Sequence, residues 1–209
     1  MHDWRRWHDD YLDPSSELSQ RLAVVQQAIR EWADALPAGP ARLLSICACQ
    51  GHDVLGALAD HPRRGDITGV LVELDLDNVA AANEALAAAG LTGVRARVGD
   101  AGHTSSYDAA VPANLVLACG VFGNIPDDDV QRTVAALSGL CDADATVIWT
   151  RHRRAPDLTP TIRGWLADAG FEEVAFCSPG PDRYAVGIAR LTGPPRALGD
   201  DRRLFAFTR

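Results

Sequence analysis

Leu43-Leu44-Ser45-Ile46-Cys47 is a short apolar run, and Ala48-Cys49-Gln50-Gly51-His52-Asp53 follows it with small and polar residues. A run of that length bounded by a glycine turn reads as a buried strand, and Val54, Leu55 and Leu58 then recur at helical spacing. Working outward, the same strand-turn-helix unit repeats. Ile67–Glu73 reads as a second strand and 77–89 as its helix, ended by Gly90. Val94–Val98 reads as a third strand and Ala113–Ala118 as a fourth. A helix over 126–140 follows, with Asp127, Asp128 and Asp129 in its first turn, where the helix dipole favours them. A fifth strand is expected over 145–150, a helix from 159 or 160 to 169 ending at Gly170, and a sixth strand over 172–177.

Ahead of this pattern, Leu18, Leu22, Val25, Ile29, Trp32 and Leu36 form one helical stripe. Asp13 is the expected cap of that helix, with Pro14 at its first position. Beyond it, Tyr184–Leu191 and 204–208 both look strand-like with no helix between them, and one is expected to close the sheet antiparallel. Strands alternating with helices argue for an α/β, doubly wound, mostly parallel sheet covered on both faces. The expected organisation is one domain, with residues 1–40 as an N-terminal helical lid segment and 41–209 as the ligand-binding body.

Composition removes several function classes. The 209-residue chain has a formal net charge of -8, and all 20 of its basic residues other than histidine are arginine. Without lysine there is no Schiff-base chemistry, no pyridoxal-phosphate enzyme and no Walker-type phosphate loop. The acidic balance argues against nucleic acid as a partner, because phosphate backbones reward clustered positive charge. No run approaches the roughly 20 apolar residues that cross a bilayer, and residues 1–8 carry charges where a signal peptide is apolar. A cytoplasmic protein is therefore expected. The 5 cysteines are an odd number in a chain long enough to bury its own core, so a disulfide framework is not expected.

In doubly wound sheets ligands sit beyond the carboxyl ends of the strands, where strand order reverses. Small residues after the first strand let a backbone approach a ligand and let the next helix aim its amides at it. Glu73 ends the second strand, where a carboxylate can accept both hydroxyls of a ribose. Asp100, in Val98-Gly99-Asp100-Ala101, follows the third strand, where it can bond the exocyclic amine of an adenine.

This set resembles the class I S-adenosylmethionine-dependent methyltransferases, over residues 43–177. The resemblance implies a seven-stranded Rossmann-like sheet and S-adenosylmethionine as cofactor. It assigns the methionine end to Cys47, Ala48, Cys49, Gln50 and Gly51, ribose to Glu73 with Leu74 beside it, and adenine to Asp100 and Ala101. Gly120 and Val121 would line the cofactor after the fourth strand, and Tyr11 looks like the aromatic of an N-terminal lid. The departure lies in the turn. The family pattern acid-x-Gly-x-Gly-x-Gly falls on Ser45, Cys47, Cys49 and Gly51, so one glycine remains, and a Cβ at Cys49 opposes a positive φ.

Arg151-His152-Arg153-Arg154 follows the fifth strand and is the densest basic cluster in the chain. Its bland reading is a solvated loop. Its functional reading is that Arg151, Arg153 and Arg154 grip a carboxylate or phosphate of a small-molecule substrate. His152 and Asn124 are the candidates for positioning or deprotonating an acceptor. His8, Trp4 and Trp7 could complete that pocket, or form a surface patch or homodimer contact. Cys47, Cys49, Cys119 and His52 share one end of the sheet, but their spacing matches no zinc pattern, and no metal is expected. The degraded turn leaves two rival readings: a partner subunit without catalysis, and a cofactor-assisted reaction that transfers no methyl. A nicotinamide oxidoreductase is the weakest alternative.

Overall fold

The computed structural model describes residues 13–198 and 201–208. Helix α1 spans Glu17–Ala35, followed by β1 (Ala41–Ile46), α2 (His52–Leu58), β2 (Ile67–Glu73), α3 (Leu76–Ala88) and β3 (Val94–Val98). Then come β4 (Ala113–Ala118), α4 (Asp127–Leu137), β5 (Cys141–His152), α5 (Thr159–Asp168), β6 (Phe171–Cys177) and β7 (Tyr184–Leu191). The strands form one sheet in the order β3-β2-β1-β4-β5-β7-β6. All neighbours are parallel except β7, which runs antiparallel to both β5 and β6.

The alternation of side chains along each strand builds two apolar layers. Leu44 and Ile46 of β1, with Val147 and Trp149 of β5, face α4 and α5 through Val130, Val134, Ile162 and Leu166. Leu43 of β1 and Ile148 of β5 face the other way, against Val25 and Ile29 of α1, Val54 and Leu58 of α2, and Val79 and Leu86 of α3. Each fully buried aliphatic side chain of this kind contributes about 1.5–3 kcal/mol. The central strands are therefore apolar on both faces, which is why the sequence shows runs there and not alternation.

Two expectations are corrected and one open choice is decided. Helix α1 starts a turn later than Asp13: that carboxylate accepts from Ser15 N at 2.8 Å and Ser15 Oγ at 2.7 Å, making a local turn. Ser16 is the cap instead, its Oγ accepting from Ser19 N at 3.0 Å. Strand β5 is longer than the apolar run that announced it, since its polar start is carried by pairing with β4 and its Arg151–His152 end by pairing with β7. Of the two C-terminal strand candidates, Tyr184–Leu191 enters the sheet as β7, and 204–208 does not.

Strand order reverses between β1 and β4, where the chain returns from β3 across β2 and β1. A cleft opens there at the carboxyl ends of the strands, the place the topology reserves for a ligand.

Candidate functional site

The loop after β1 adopts the conformation its sequence opposes. Cys47, Cys49 and Gly51 all lie in the left-handed region, with φ of 57°, 48° and 72°. A non-glycine residue there costs roughly 1–2 kcal/mol, so the surrounding structure holds the two cysteines in place. The holding bonds are visible. Ala48 N donates to Val72 O at 3.0 Å and Gly51 N to Ala48 O at 2.8 Å. Cys49 N donates to Glu73 Oε2 at 2.8 Å, while Glu73 Oε1 accepts from Leu74 N at 3.0 Å and Asp75 N at 2.9 Å. The acid at the end of β2 thus ties the β1 loop to the start of α3, which Asp75 caps. Gly51 closes the turn: a Cβ there would meet Leu71 Cδ1 at 2.8 Å.

After β3, Asp100 Oδ1 accepts from Gly102 N at 2.8 Å, and Gly99 N donates back to Glu73 O at 2.9 Å. After β4, Gly120 takes φ 75°, and an added Cβ would meet nothing within 4 Å, because that side of the backbone faces open space. Asn124 Nδ2 donates to Gly120 O at 2.7 Å and Gly120 N to Thr150 Oγ1 at 2.9 Å, so this turn is anchored to β5.

These loops enclose a cavity of about 460 Å³ lined by Cys47, Ala48, Cys49, Glu73, Leu74, Asp100, Ala101 and Gly120, together with Arg21, Asp53, Asp75 and Phe207. Among the described residues its charged lining is acidic, with Asp53, Glu73, Asp75 and Asp100 against Arg21. A second cavity of about 430 Å³ adjoins it, sharing Gly120 and Arg21. Asn124, Arg151, His152, Arg154, Arg183 and Glu17 line that one, so its balance is basic.

The predicted residues divide accordingly. Gln50 and Gly51 shape the loop without lining the cavity; Gln50 Nε2 donates to Asn78 Oδ1 at 3.3 Å. Val121 is corrected: it is wholly buried in the core below α4 and faces neither cavity. Arg153 is corrected as well, since its guanidinium bonds Asp157 at 2.9 Å and Ser178 at 3.2 Å and lines neither cavity. Arg151 reaches the second cavity, but its guanidinium is buried and donates to Phe122 O and, at 3.1 Å, to Asp127 Oδ1. That leaves it as a brace between β5 and the start of α4. Arg154 is exposed and makes no ion pair with a described residue. Tyr11, His8, Trp4 and Trp7 lie outside the described residues.

His152 sits against the β4 turn, where a Cβ on Gly123 would come 3.2 Å from its Cδ2. Burial, and then the charges of Arg151 and Arg154, hold its pKa below the ordinary histidine value. It is therefore a neutral imidazole at neutral pH, able to accept a proton. The thiols are the reverse of reactive. Burial first, and then the charge of Glu73, push Cys49 up to about 12, and burial likewise raises Cys47 and Cys119. A protonated thiol is neither nucleophile nor metal ligand. Among the described residues no group of three His, Cys, Asp or Glu side chains is arranged to hold a metal, and no helix is long and apolar enough to cross a membrane.

Sequence reasoning passed over Arg21, Asp53 and Phe207. Arg21 lay on the polar flank of a helix whose apolar stripe absorbed the reading. Asp53 was one acid in a chain of many, although its place two residues past Gly51 was a usable signal. Burial raises the Asp53 carboxyl to about 6.

No family model and no curated protein matches this chain. Solved structures do. An O-methyltransferase family protein from Burkholderia thailandensis is similar over 85% of this chain and 60% of its own, with a TM-score of 0.61 and 17% identity. The CurJ carbon methyltransferase gives a TM-score of 0.64 at 13% identity, over 82% of this chain and 54% of its own. An O-methyltransferase family 2 protein from Planctomyces limnophilus, solved in complex with apigenin, gives 0.59 at 17% identity, over 84% and 62%. This chain spans less than two thirds of the length of each of the three. At these identities the likeness is one of fold: the chain has the seven-stranded Rossmann-like fold found in class I methyltransferases.

Proposed function

We propose that this chain transfers a methyl group from S-adenosylmethionine to a small, anionic acceptor. The observation that carries the reading is the pair of contiguous cavities of opposite charge, joined at Gly120 and Arg21. S-adenosylmethionine bears one net positive charge, from its sulfonium and ammonium against its carboxylate, and an acidic cavity of 460 Å³ suits it in sign and size. The bare backbone at Gly120 leaves room for a ligand that a side chain would fill.

Glu73 would take one ribose hydroxyl, since a carboxylate that already accepts three amides still has one lone pair to offer. Asp100 would take the adenine amine, and the loop from Cys47 to Cys49 would border the methionine end. When bound, the cofactor would supply an electrophilic methyl carbon, whose bond to sulfur an acceptor lone pair would replace, the C–S pair staying on the neutral thioether. What the protein adds is alignment. Arg154 holds the acceptor's negative group, Asn124 keeps the Gly120 turn rigid, and neutral His152 receives the acceptor's proton. Arg151 holds the loop from Phe122 to Asp127 against β5 so that these groups stay in register.

The non-methylating alternatives drew their force from the missing glycines. The left-handed Cys47 and Cys49 weaken that ground, because the loop keeps the backbone shape without them. Calorimetry with S-adenosylhomocysteine tests the reading. Binding is expected, with Glu73→Ala weakening it more than tenfold; no heat at millimolar ligand from folded protein would overturn it.

A further inference from the structure

The second cavity holds a tyrosine whose hydroxyl the fold does not use. Tyr184 opens β7 and lies directly opposite His152 of β5 in the antiparallel pair. Residues so placed share one face of the sheet, with Cβ atoms about 5 Å apart. That face is the one under α1, since Ile148 and Val186 of the same strands pack there with Val25 and Ile29. The backbone around Tyr184 is pinned from several sides. Ser178 Oγ donates to Tyr184 O at 3.0 Å, and Arg153 N donates to Arg183 O at 2.7 Å. Arg183 in turn holds α1, with Nη2 donating to Gln20 Oε1 at 2.8 Å and Nε standing 2.7 Å from Glu17 Oε1.

Tyr184 is 8% exposed and lines that cavity, yet its hydroxyl has no hydrogen-bond partner among the described residues. A buried tyrosine normally finds one. Two further polar atoms of the cavity's lining residues are unmet: Arg151 Nε and His152 Nδ1 are buried without a partner. With Nδ1 sealed, Nε2 is the imidazole nitrogen left to meet a ligand. Burial, first among the causes, raises the Tyr184 phenol above its ordinary value, so it keeps its hydrogen at neutral pH. The cavity thus sets a hydrogen-bond acceptor, His152, beside a donor, Tyr184, with the exposed Arg154 on the same lining.

We propose that Tyr184 is an acceptor-binding residue that donates its hydroxyl hydrogen to the acceptor's reacting atom opposite His152, which makes the second cavity a site for hydroxyl acceptors in preference to amines. The inference rests on the transfer reading above and narrows its acceptor. A hydroxyl oxygen has two lone pairs. One accepts from Tyr184, and the other bonds the methyl carbon as the carbon–sulfur bond breaks, while the hydroxyl proton passes to His152 Nε2. An amine nitrogen has a single lone pair, which Tyr184 would occupy. An aliphatic amine is moreover an ammonium at neutral pH, which the arginines of this cavity repel. Because its backbone is fixed before any ligand arrives, Tyr184 loses little freedom on binding.

Calorimetry with 3-hydroxybenzoate and 3-aminobenzoate, on the protein with and without S-adenosylhomocysteine, tests this. Both probes carry a carboxylate for Arg154, and the aromatic amine is neutral at neutral pH, so the comparison reads lone pairs and not charge. The hydroxyl probe is expected to bind about tenfold or more tightly than the amine. Tyr184→Phe should weaken the hydroxyl probe about tenfold and erase that margin, while S-adenosylhomocysteine affinity and melting temperature stay those of the parent. A tyrosine that only fills the core would leave both probes unmoved in the variant. A parent that binds neither probe at millimolar concentration, or prefers the amine, overturns the proposal, as does a Tyr184→Phe protein that keeps the margin. If the folded parent fails to bind S-adenosylhomocysteine yet shows the Tyr184-dependent preference, the transfer reading falls and the Tyr184 contact stands.

Discussion

At the residue scale the loop after β1 shows how much a backbone shape can demand of its side chains. Cys49 holds φ 48° although its Cβ opposes it, because Glu73 fixes its amide from the next strand. The thiol itself contributes no ionic chemistry, being held near its neutral form by burial. Shape is then what position 49 must satisfy. Cys49→Gly should fold with stability within about 1 kcal/mol of the parent, relief of strain offsetting the added chain entropy. Cys49→Val, whose branched Cβ fits the left-handed region worst, should lose about 2 kcal/mol or more in urea unfolding. Equal stability of the two variants would mean the loop does not hold this conformation in solution.

At the scale of elements, β7 explains why the sheet closes as it does. It inserts between β5 and β6, and its Gly187 lies opposite Trp149. A Cβ on Gly187 would occupy the space of the indole, which is 1% exposed and packs within 6.2 Å of Phe122 and 6.1 Å of Phe176, centroid to centroid. A glycine in a strand interior is unfavourable unless something else needs the space, and here the tryptophan does. Gly187→Ala should therefore destabilise by about 1–3 kcal/mol, read by chemical denaturation, through overpacking. Pairing it with Trp149→Phe should recover part of the loss. In the sequence Gly187 was one glycine in a strand-like run, and nothing local connected it to a residue 38 positions earlier.

At the scale of the whole molecule the charges are partitioned. A chain of net charge -8 gathers acids around one cavity and arginines around the next. Asp53 shows the cost of doing so. Its carboxyl is raised by burial from 3.8 to about 6, so the folded state binds a proton that the unfolded state has already lost between those values. Folding stability therefore falls as pH rises through that window, by on the order of 1–3 kcal/mol from this group alone. Asp53→Asn should stabilise the ligand-free protein above pH 6, with the gain vanishing near pH 4, as measured by denaturant titration across pH. A gain that persists unchanged at pH 4 would place its origin elsewhere. A half-buried acid that destabilises the ligand-free protein fits the proposed cationic ligand, since an entering positive charge would offset the cost of desolvation.

The strands that carry the site were legible because burial on both faces leaves nearly unbroken apolar runs in β1 and β2, ahead of Cys47 and Glu73, while β3 alternates Val94, Ala96 and Val98 with Arg95 and Arg97 ahead of Asp100. The sequence by itself thus determined the doubly wound sheet, its order of elements and the residues at the strand ends, all of them properties of local pattern. Tertiary structure alone decided which arginine is spent on Phe122 and Asp127 and which stays exposed, since pairing is a matter of distances between distant loops. It also decided that Tyr184–Leu191 pairs in the sheet while 204–208 runs outside it, with Leu204 and Phe205 in the core and Phe207 at the cavity. Both segments have the composition of strands, and what separates them is which one finds a neighbour with open backbone hydrogen bonds. β5 and β6 offered theirs to the first, and the second was left to the carbonyls and carboxylates around the site.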